Sequence, residues 1–397
     1  MAEDEKPYRV YRGGRTKGKV PAPAGPGRGR RAEAEKPAGG AHFRGPNARR
    51  VLKRVAWRRW LPIGIAVLFV LFVVWAITSY VAVSSGVSDA NNRLDPNARA
   101  ALAKQSGLLL QHSTTILLLG TDNSTIGGRT GDMHSDSIQL VRTDPSHHRI
   151  SYLSIPRDLR VPIPGGGDQK VNAAMQIGGP ALAIKTISEF TGIPIDHVIV
   201  VNFGDFKDLI DAVGGVTIDV PKAILSNRFD CPYATAQRCQ SWPGWRFRKG
   251  SQHMNGERAL IYSRIRENTL DPAENDLTRE ARQQAVTNAV MSKLTSPLTL
   301  AKMPFDGKSL VKPLATDLST WELIQLGWVK FRAGNGSSLH CRLGGDGDPG
   351  GTTDIIPNED DRSVIAMFDG KSAPQPPPPA TSTERFPPGC DVGHVLQ

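Results

Sequence analysis

The chain has 397 residues, enough for one sizeable domain with appendages or for two small ones. Its net charge of +11 is unevenly spread: residues 1–59 hold 17 Lys/Arg and 5 Asp/Glu, a net of +12, whereas the other 338 hold 32 and 33, a net of −1. The basic character therefore belongs to the tail, and with no nucleic-acid-binding motif beside it a nucleic-acid partner is not expected.

In chain order, residues 1–50 are rich in Gly, Pro, Ala and Arg and are expected to be a disordered tail that touches anionic lipid headgroups. Leu61 to Val83 is an uncharged run of 23 residues. As a helix it spans roughly 34 Å, against about 30 Å for a bilayer core. Arg49, Arg50, Lys53, Arg54, Arg58 and Arg59 precede it, and only Asp89, Arg93 and Asp95 follow closely. The positive-inside rule then places the N-terminus in the cytoplasm and the rest of the chain outside the cell membrane, as a single-pass protein. All four cysteines, Cys231, Cys239, Cys341 and Cys390, fall in the exterior part, where disulfides persist. Three pairings are open; Cys231–Cys239 closes a short polar loop and is favoured, which leaves Cys341–Cys390 to tie down the tail.

The expected boundaries are a basic tail over 1–59, a transmembrane helix over 60–84, a stalk over 85–113, a domain over 114–300, an extension packed on it over 301–370 and a mobile Pro-rich tail over 371–397. Within the domain, Thr114–Gly120 reads as a buried strand, and Asp136–Asp144 and Arg149–Pro156 as two more joined at Pro145-Ser146. Pro180–Gly192 has helical periodicity, Asp196–Phe203 is a strand, Asp205–Val213 a helix and Val216–Val220 a strand. Residues 222–250 read as a long loop, followed by helices over Asn255–Ser263 and Asp276–Leu294. Beyond Pro297 the signal weakens to helices over Leu318–Phe331 and Glu359–Phe368 around a Gly-rich turn region. This alternation predicts an α/β (α+β) fold, a layered α-β-α domain with a central mixed sheet.

Charged residues gather at the ends of these elements. Asp122 follows the first strand and Asp136 opens the second; two carboxylates at one sheet edge suit a hard divalent cation, although Asp is also an ordinary turn residue. Arg157-Asp158 follows Pro156, which pre-sets the backbone, and Lys170-Val171-Asn172 comes soon after. Arg264 and Arg266 share a face if the segment is extended. Arg279, Arg282 and Gln283 share one helix face, and Asp276 serves equally well as that helix's N-cap. Guanidinium forks match phosphate oxygens, so arginines from three segments around two carboxylates suggest a site for a metal-bound polyphosphate.

On these stretches the chain resembles the LytR–CpsA–Psr family of cell-envelope enzymes. The resemblance is carried by ILLLGTD (116–122), SDSIQLV (135–141), SIPRD (154–158), KVNAAMQIGG (170–179), DLIDAVGGVTIDVP (208–221), GERALIYSRIR (256–266) and DLTREARQQ (276–284). It implies a phosphotransferase that takes a glycopolymer from a polyprenyl-pyrophosphate carrier and joins it to peptidoglycan through a phosphodiester. It also implies Mg²⁺ (or Mn²⁺) on Asp122 and Asp136, and pyrophosphate binding by Arg157, Arg264, Arg266, Arg279 and Gln283. Lys170 and Asn172 match substrate-binding motif positions, and Asp122 or Asp158 is the expected base. Apolar residues between sheet and helices would line a slot for the lipid. Two positions depart from the family pattern: His134 and Leu277-Thr278 stand where Arg and Phe-Gly are common. The rival readings are a polyprenyl-pyrophosphate hydrolase, a membrane-bound transcriptional attenuator and a polymer-binding module without catalysis.

Overall fold

The structure is a computed structural model that describes residues 57–103, 107–121, 135–233, 235–265, 267–271, 276–334, 338–376 and 384–393. Two helices, α1 (Trp57–Arg93) and α2 (Pro96–Ala101), lead into β1 (Thr114–Thr121), β2 (Ser135–Asp144), β3 (Arg149–Ser154) and a hairpin of β4 (Arg160–Ile163) and β5 (Gly167–Lys170). Next come α3 (Ala173–Thr191), β6 (His197–Asn202), α4 (Phe203–Ala212) and β7 (Val216–Val220). The segment expected as one long loop carries β8 (Ile224–Leu225), α5 (Ala236–Gln240) and β9 (Arg246–Phe247) before β10 (Gly250–Met254). Three helices follow: α6 (Gly256–Arg264), α7 (Asp276–Leu294) and α8 (Pro297–Val311). The chain ends with β11 (Ala315–Thr316), α9 (Thr320–Ala333), β12 (Leu339–Arg342), β13 (Gly345–Gly347), β14 (Ile355–Ile356), α10 (Glu359–Phe368), β15 (Glu384–Phe386) and β16 (Gly389–Val392).

The central mixed sheet has the order β11-β6-β1-β2-β3-β12-β16. β6 runs parallel to β1 and β12 parallel to β3, while β2 is antiparallel to both of its neighbours. The carboxyl ends of β1, β3, β6 and β12 therefore share one edge with the amino end of β2. Side chains alternate across the pleat. Leu117, Leu119, Leu140 and Leu153 point to one face, into a core shared with Ile184 and Ile187 of α3 and Phe368 of α10. Ile116, Val141, Ile150 and Tyr152 point to the other, against Ala333 and Leu326 of α9. Leu117, Leu140 and Leu153 are fully buried, and each such leucine contributes about 1.5–3 kcal/mol relative to an exposed one. The result is the layered α-β-α domain expected from the alternation of elements.

A second core lies beside the sheet, built from α4, β7, β10, α6, α7 and α8 around Ile210, Ile218, Met254, Tyr262 and Val286. Asn255 caps α6 by accepting from the Arg258 N–H, and α7 spans the residues expected of it. α3 begins earlier than expected, at Ala173. Gly179 has φ +63 and Pro180 follows it, so two helical stretches meet at a break and only the second was legible as periodic. Both favoured disulfides are present, Cys231–Cys239 and Cys341–Cys390.

Two segments differ from the sequence reading. Residues 85–101, expected within a stalk, hold the end of α1 and all of α2, and Val87, Ala90, Leu94 and Ala98 are buried in the domain. Residues 384–393, expected within a mobile tail, form β15 and β16. β16 pairs with β12 in a register that sets Cys390 opposite Cys341. A four-residue strand of this kind is specified by its partner and its cross-link and has no periodicity of its own.

Candidate active site

The carboxyl edge of the sheet is where ligands sit in open α/β folds. β1 and β2 reach it together: Gly120 pairs with Ser137 and Thr121 with Ser135, with a bulge between the two pairs. Asp122 lies outside the described residues. Asp136 has its main chain in β2, next to the Thr121–Ser135 pair, and its side chain lies outside the description. The register thus puts the main chain of Asp136 beside the end of β1. Aspartate oxygen donors are the type that Mg²⁺ or Mn²⁺ takes. Among the described residues no group of three or more His, Cys, Asp or Glu is placed to hold a metal.

β3 leaves the sheet at Ser154, passes the buried Pro156 and turns, the Leu159 N–H donating to the Pro156 carbonyl at 3.0 Å. This turn carries Arg157 and Asp158. The Asp158 carboxylate accepts from Lys170 Nζ at 2.8 Å and lies 3.6 Å from Arg157 Nε, with 14% of its side chain exposed. Lys170 also donates to Thr353 Oγ1 at 2.6 Å and pairs with Asp354, which in turn pairs with Arg160 at 3.1 Å. The Lys-Val-Asn stretch fixes the same turn through its backbone: the Val171 N–H donates to Leu159 O at 2.8 Å and the Asn172 N–H to Arg157 O at 3.3 Å. Lys170 and Asn172 therefore brace the loop that aims Arg157. A charge-assisted hydrogen bond of this kind contributes about 1.5–3 kcal/mol.

α7 brings the remaining groups. Arg279 and Arg282 are each 5% exposed, an unusual position for guanidinium groups. Arg282 Nη2 donates to the Ile265 carbonyl, so this arginine ties α7 to the end of α6, where Arg264 is the last helical residue and is exposed. Arg264 thus lies on a helix end, one residue past the helix read over Asn255–Ser263; Arg266 lies outside the described residues, as does the side chain of Asp276. One turn beyond Arg279, Gln283 is half-buried. Gln284 Nε2 donates to Ser154 Oγ, which holds α7 against the exit of β3. Between the helix and the strands is a narrow cleft, with room for only about 10 Å³, lined by Ser137, Gln139, Ser154, Arg157, Gln283 and Thr287 among others. Arg157 and Gln283, far apart in sequence, meet there. Ser137 and Gln139 were missed by sequence reasoning, although two polar residues at i and i+2 in an otherwise apolar strand were a usable signal.

The edge continues onto β6. Asn202 caps α4 by accepting from the Asp205 N–H at 2.8 Å and donates from Nδ2 to the Asp205 carboxylate. Burial pushes the Asp205 pKa above the usual carboxylate value, and the nearby charges of Arg93, at the end of α1, and Lys312, just past α8, oppose that rise only in part. The site edge of the sheet is therefore the edge next to the end of α1.

The "LytR_cpsA_psr family" description matches residues 77–334. The polyisoprenyl-teichoic acid–peptidoglycan teichoic acid transferase TagV of Bacillus subtilis (strain 168) is 35% identical over 192 residues, 48% of this chain and 46% of that one. TagU of Bacillus mycoides (strain KBAB4), which carries the same transferase name, is 29% identical over 254 residues, 64% of this chain and 76% of that one. The chain thus spans just under half the length of TagV and about three quarters of TagU. The solved structure described as TagT bound to LIIa-WTA superposes with a TM-score of 0.53 at 27% identity, covering 68% of this chain and 94% of that one. With a match that covers well over half of its length, the chain belongs to the LytR_cpsA_psr family.

Proposed function

We propose that this protein is a membrane-anchored phosphotransferase that moves a glycopolymer from a polyprenyl-pyrophosphate carrier to peptidoglycan through a phosphodiester bond. The observation that carries the reading is the meeting of Arg157 and Gln283 in one cleft at the carboxyl edge of the sheet, inside the stretch that matches the family. The named relatives are polyisoprenyl-teichoic acid–peptidoglycan teichoic acid transferases, which supports a lipid-linked donor and a peptidoglycan acceptor. The basic flank before the apolar run of Leu61 to Val83 supports a cytoplasmic N-terminus and an extracellular domain.

In this reading Arg157, Arg264, Arg266, Arg279 and Gln283 bind the pyrophosphate oxygens, and apolar residues between sheet and helices take the lipid chain. Lys170 and Asn172 hold the Arg157 turn in place. Mg²⁺ or Mn²⁺ on Asp122 and Asp136 would add charge neutralisation. A peptidoglycan hydroxyl attacks the phosphorus nearest the sugar, the bond from that phosphorus to the lipid phosphate breaks, and polyprenyl phosphate leaves. The hydroxyl proton passes to Asp122. Asp158 is engaged by Lys170 and is read as a positioning residue. Catalysis is then chiefly positioning and stabilisation of charge, as in other phosphoryl transfers.

The test is transfer of labelled polymer from lipid donor with and without peptidoglycan. Arg157→Ala and Arg264→Ala are each expected to lower transfer by about 10²–10³-fold while leaving the melting curve in place. Full activity in both variants would remove the site, and phosphate release without acceptor would favour the hydrolase.

A further inference from the structure

The end of α1 and α8 run side by side in the same direction. Trp75 Nε1 donates to the Ala301 carbonyl at 3.1 Å. A Cβ built on Gly307 would come within 2.9 Å of Val83, and one built on Gly86 within 2.8 Å of the Lys308 carbonyl, so the two glycines permit a close helix crossing. Lys308 pairs with Asp89 at 3.3 Å, and Val311 joins Val87 and Ala90 in one buried cluster. From these contacts Ala301 is level with Trp75, and Lys308 with the stretch from Gly86 to Asp89.

A bilayer core of about 30 Å needs about 20 helical residues. Counted from Leu61, two residues after Arg59, it ends near Tyr80, beyond the level of Trp75. A core that stopped at Trp75 would have only about 15 residues, roughly 22 Å. The first turns of α8 therefore lie at a depth that the bilayer must occupy. Their composition agrees. Leu298, Ala301 and Phe305 fall at i, i+3 and i+7 on one outward face, with Leu298 61% and Phe305 83% exposed; the exposed Lys302 between them has an aliphatic stem long enough to carry its ammonium to the headgroups. Further along, Lys308 and Lys312 are exposed where headgroups would lie.

We propose that α8 is a second membrane-contact element: its amino-terminal half is seated in the lipid interface beside α1, and Lys308 and Lys312 face anionic headgroups. The chemistry is that of an interfacial amphipathic helix. The domain is thereby fixed to the bilayer at two places, with the site edge of its sheet next to the end of α1. This inference rests on reading α1 as a membrane span.

The experiment uses the full chain in phosphatidylcholine vesicles containing phosphatidylglycerol. The native cysteines are all in disulfides, so one added thiol can be labelled with an environment-sensitive fluorophore. Leu298→Cys and Phe305→Cys are the test positions, Phe69→Cys reports the span, and Lys185→Cys, on exposed α3 surface, is the aqueous control. With doxyl-labelled lipid, emission at positions 298, 305 and 69 is expected to fall by roughly twofold, and emission at 185 to stay unchanged. Quenching at 69 with none at 298 and 305 overturns the α8 proposal and leaves the span intact. No quenching at 69 overturns both. A blue-shifted but unquenched label at 298 and 305 means that protein, such as a second copy, covers this face, and it also overturns the proposal.

Discussion

The two edges of the sheet handle charge differently. At the amino edge each carboxylate is matched within the fold. Asp196 accepts from the Thr115 N–H at 2.8 Å, and Asp317 accepts from the Val198 N–H at 2.8 Å while pairing with His197 Nδ1 at 2.7 Å. At the carboxyl edge Asp158 and Asp354 pair with Lys170, and Arg157 of the β3 exit and the buried Arg279 and Arg282 of α7 add cations from segments far apart in the chain. Charges matched locally hold strands in register. Guanidinium groups gathered from distant segments are the arrangement expected of an anion site, because their forks match phosphate oxygens.

The comparison can be sharpened by perturbing each edge. The largest effect is expected at Asp361, beneath the carboxyl edge, which is 2% exposed and accepts from the Gly344 N–H at 2.8 Å. Burial pushes its pKa up to about 7. Because the folded value lies above the unfolded one, the native state holds a proton that the unfolded state loses first. Stability therefore falls as pH rises from about 4 to about 7. Asp361→Asn should raise stability at about pH 8 by up to about 4 kcal/mol and change little near pH 4, as read from denaturant midpoints. Next, Cys341→Ala with Cys390→Ala should cost about 2–4 kcal/mol and lower transfer, because β12 flanks the site strand β3.

The smallest effect belongs to the amino edge. Burial opposes a charge on His197, but the Asp317 carboxylate outweighs it and raises the imidazole pKa. The stabilisation is complete below the ordinary histidine value and is lost as pH rises through the raised one. His197→Gln should cost roughly 1.5 kcal/mol in mildly acidic buffer, less at alkaline pH, and leave transfer unchanged. A loss of transfer in His197→Gln equal to that in the disulfide variant would break the distinction between the edges.

The sequence announced those parts of the fold whose signals are local. Thr114–Gly120 is a continuous apolar run, the next two strands alternate, Asp276–Leu294 and Glu359–Phe368 read as helices, and the structure places elements there. α8 was not legible because Pro297, Pro304 and Gly307 read as breakers. Pro297 in fact occupies the first helical turn, and Gly307 serves a close helix crossing. β12 and β16 were not legible because their specification is tertiary. At the site, Arg157 and Asp158 stood out as an adjacent pair after proline. Their bracing by Lys170, Thr353 and Asp354 joins positions nearly two hundred residues apart, which no spacing rule reaches. Arg282, which looked like one more phosphate ligand on its helix face, is seen to bond the Ile265 carbonyl.

The strand order has a consequence for how the chain acquires its shape. The sheet centre comes from residues 114–202, but β11, β12 and β16, which flank it on both sides, come from residues 315–392. Until those strands arrive, β6 and β3 present open edges. Pairings this distant in sequence slow folding, because a long loop must close before any contact repays it. A chain that emerges from its amino end would therefore wait, with these strand edges exposed, until residues 315–392 had followed. The Cys341–Cys390 bond would be among the last events, a lock applied after assembly and not a staple that guides it.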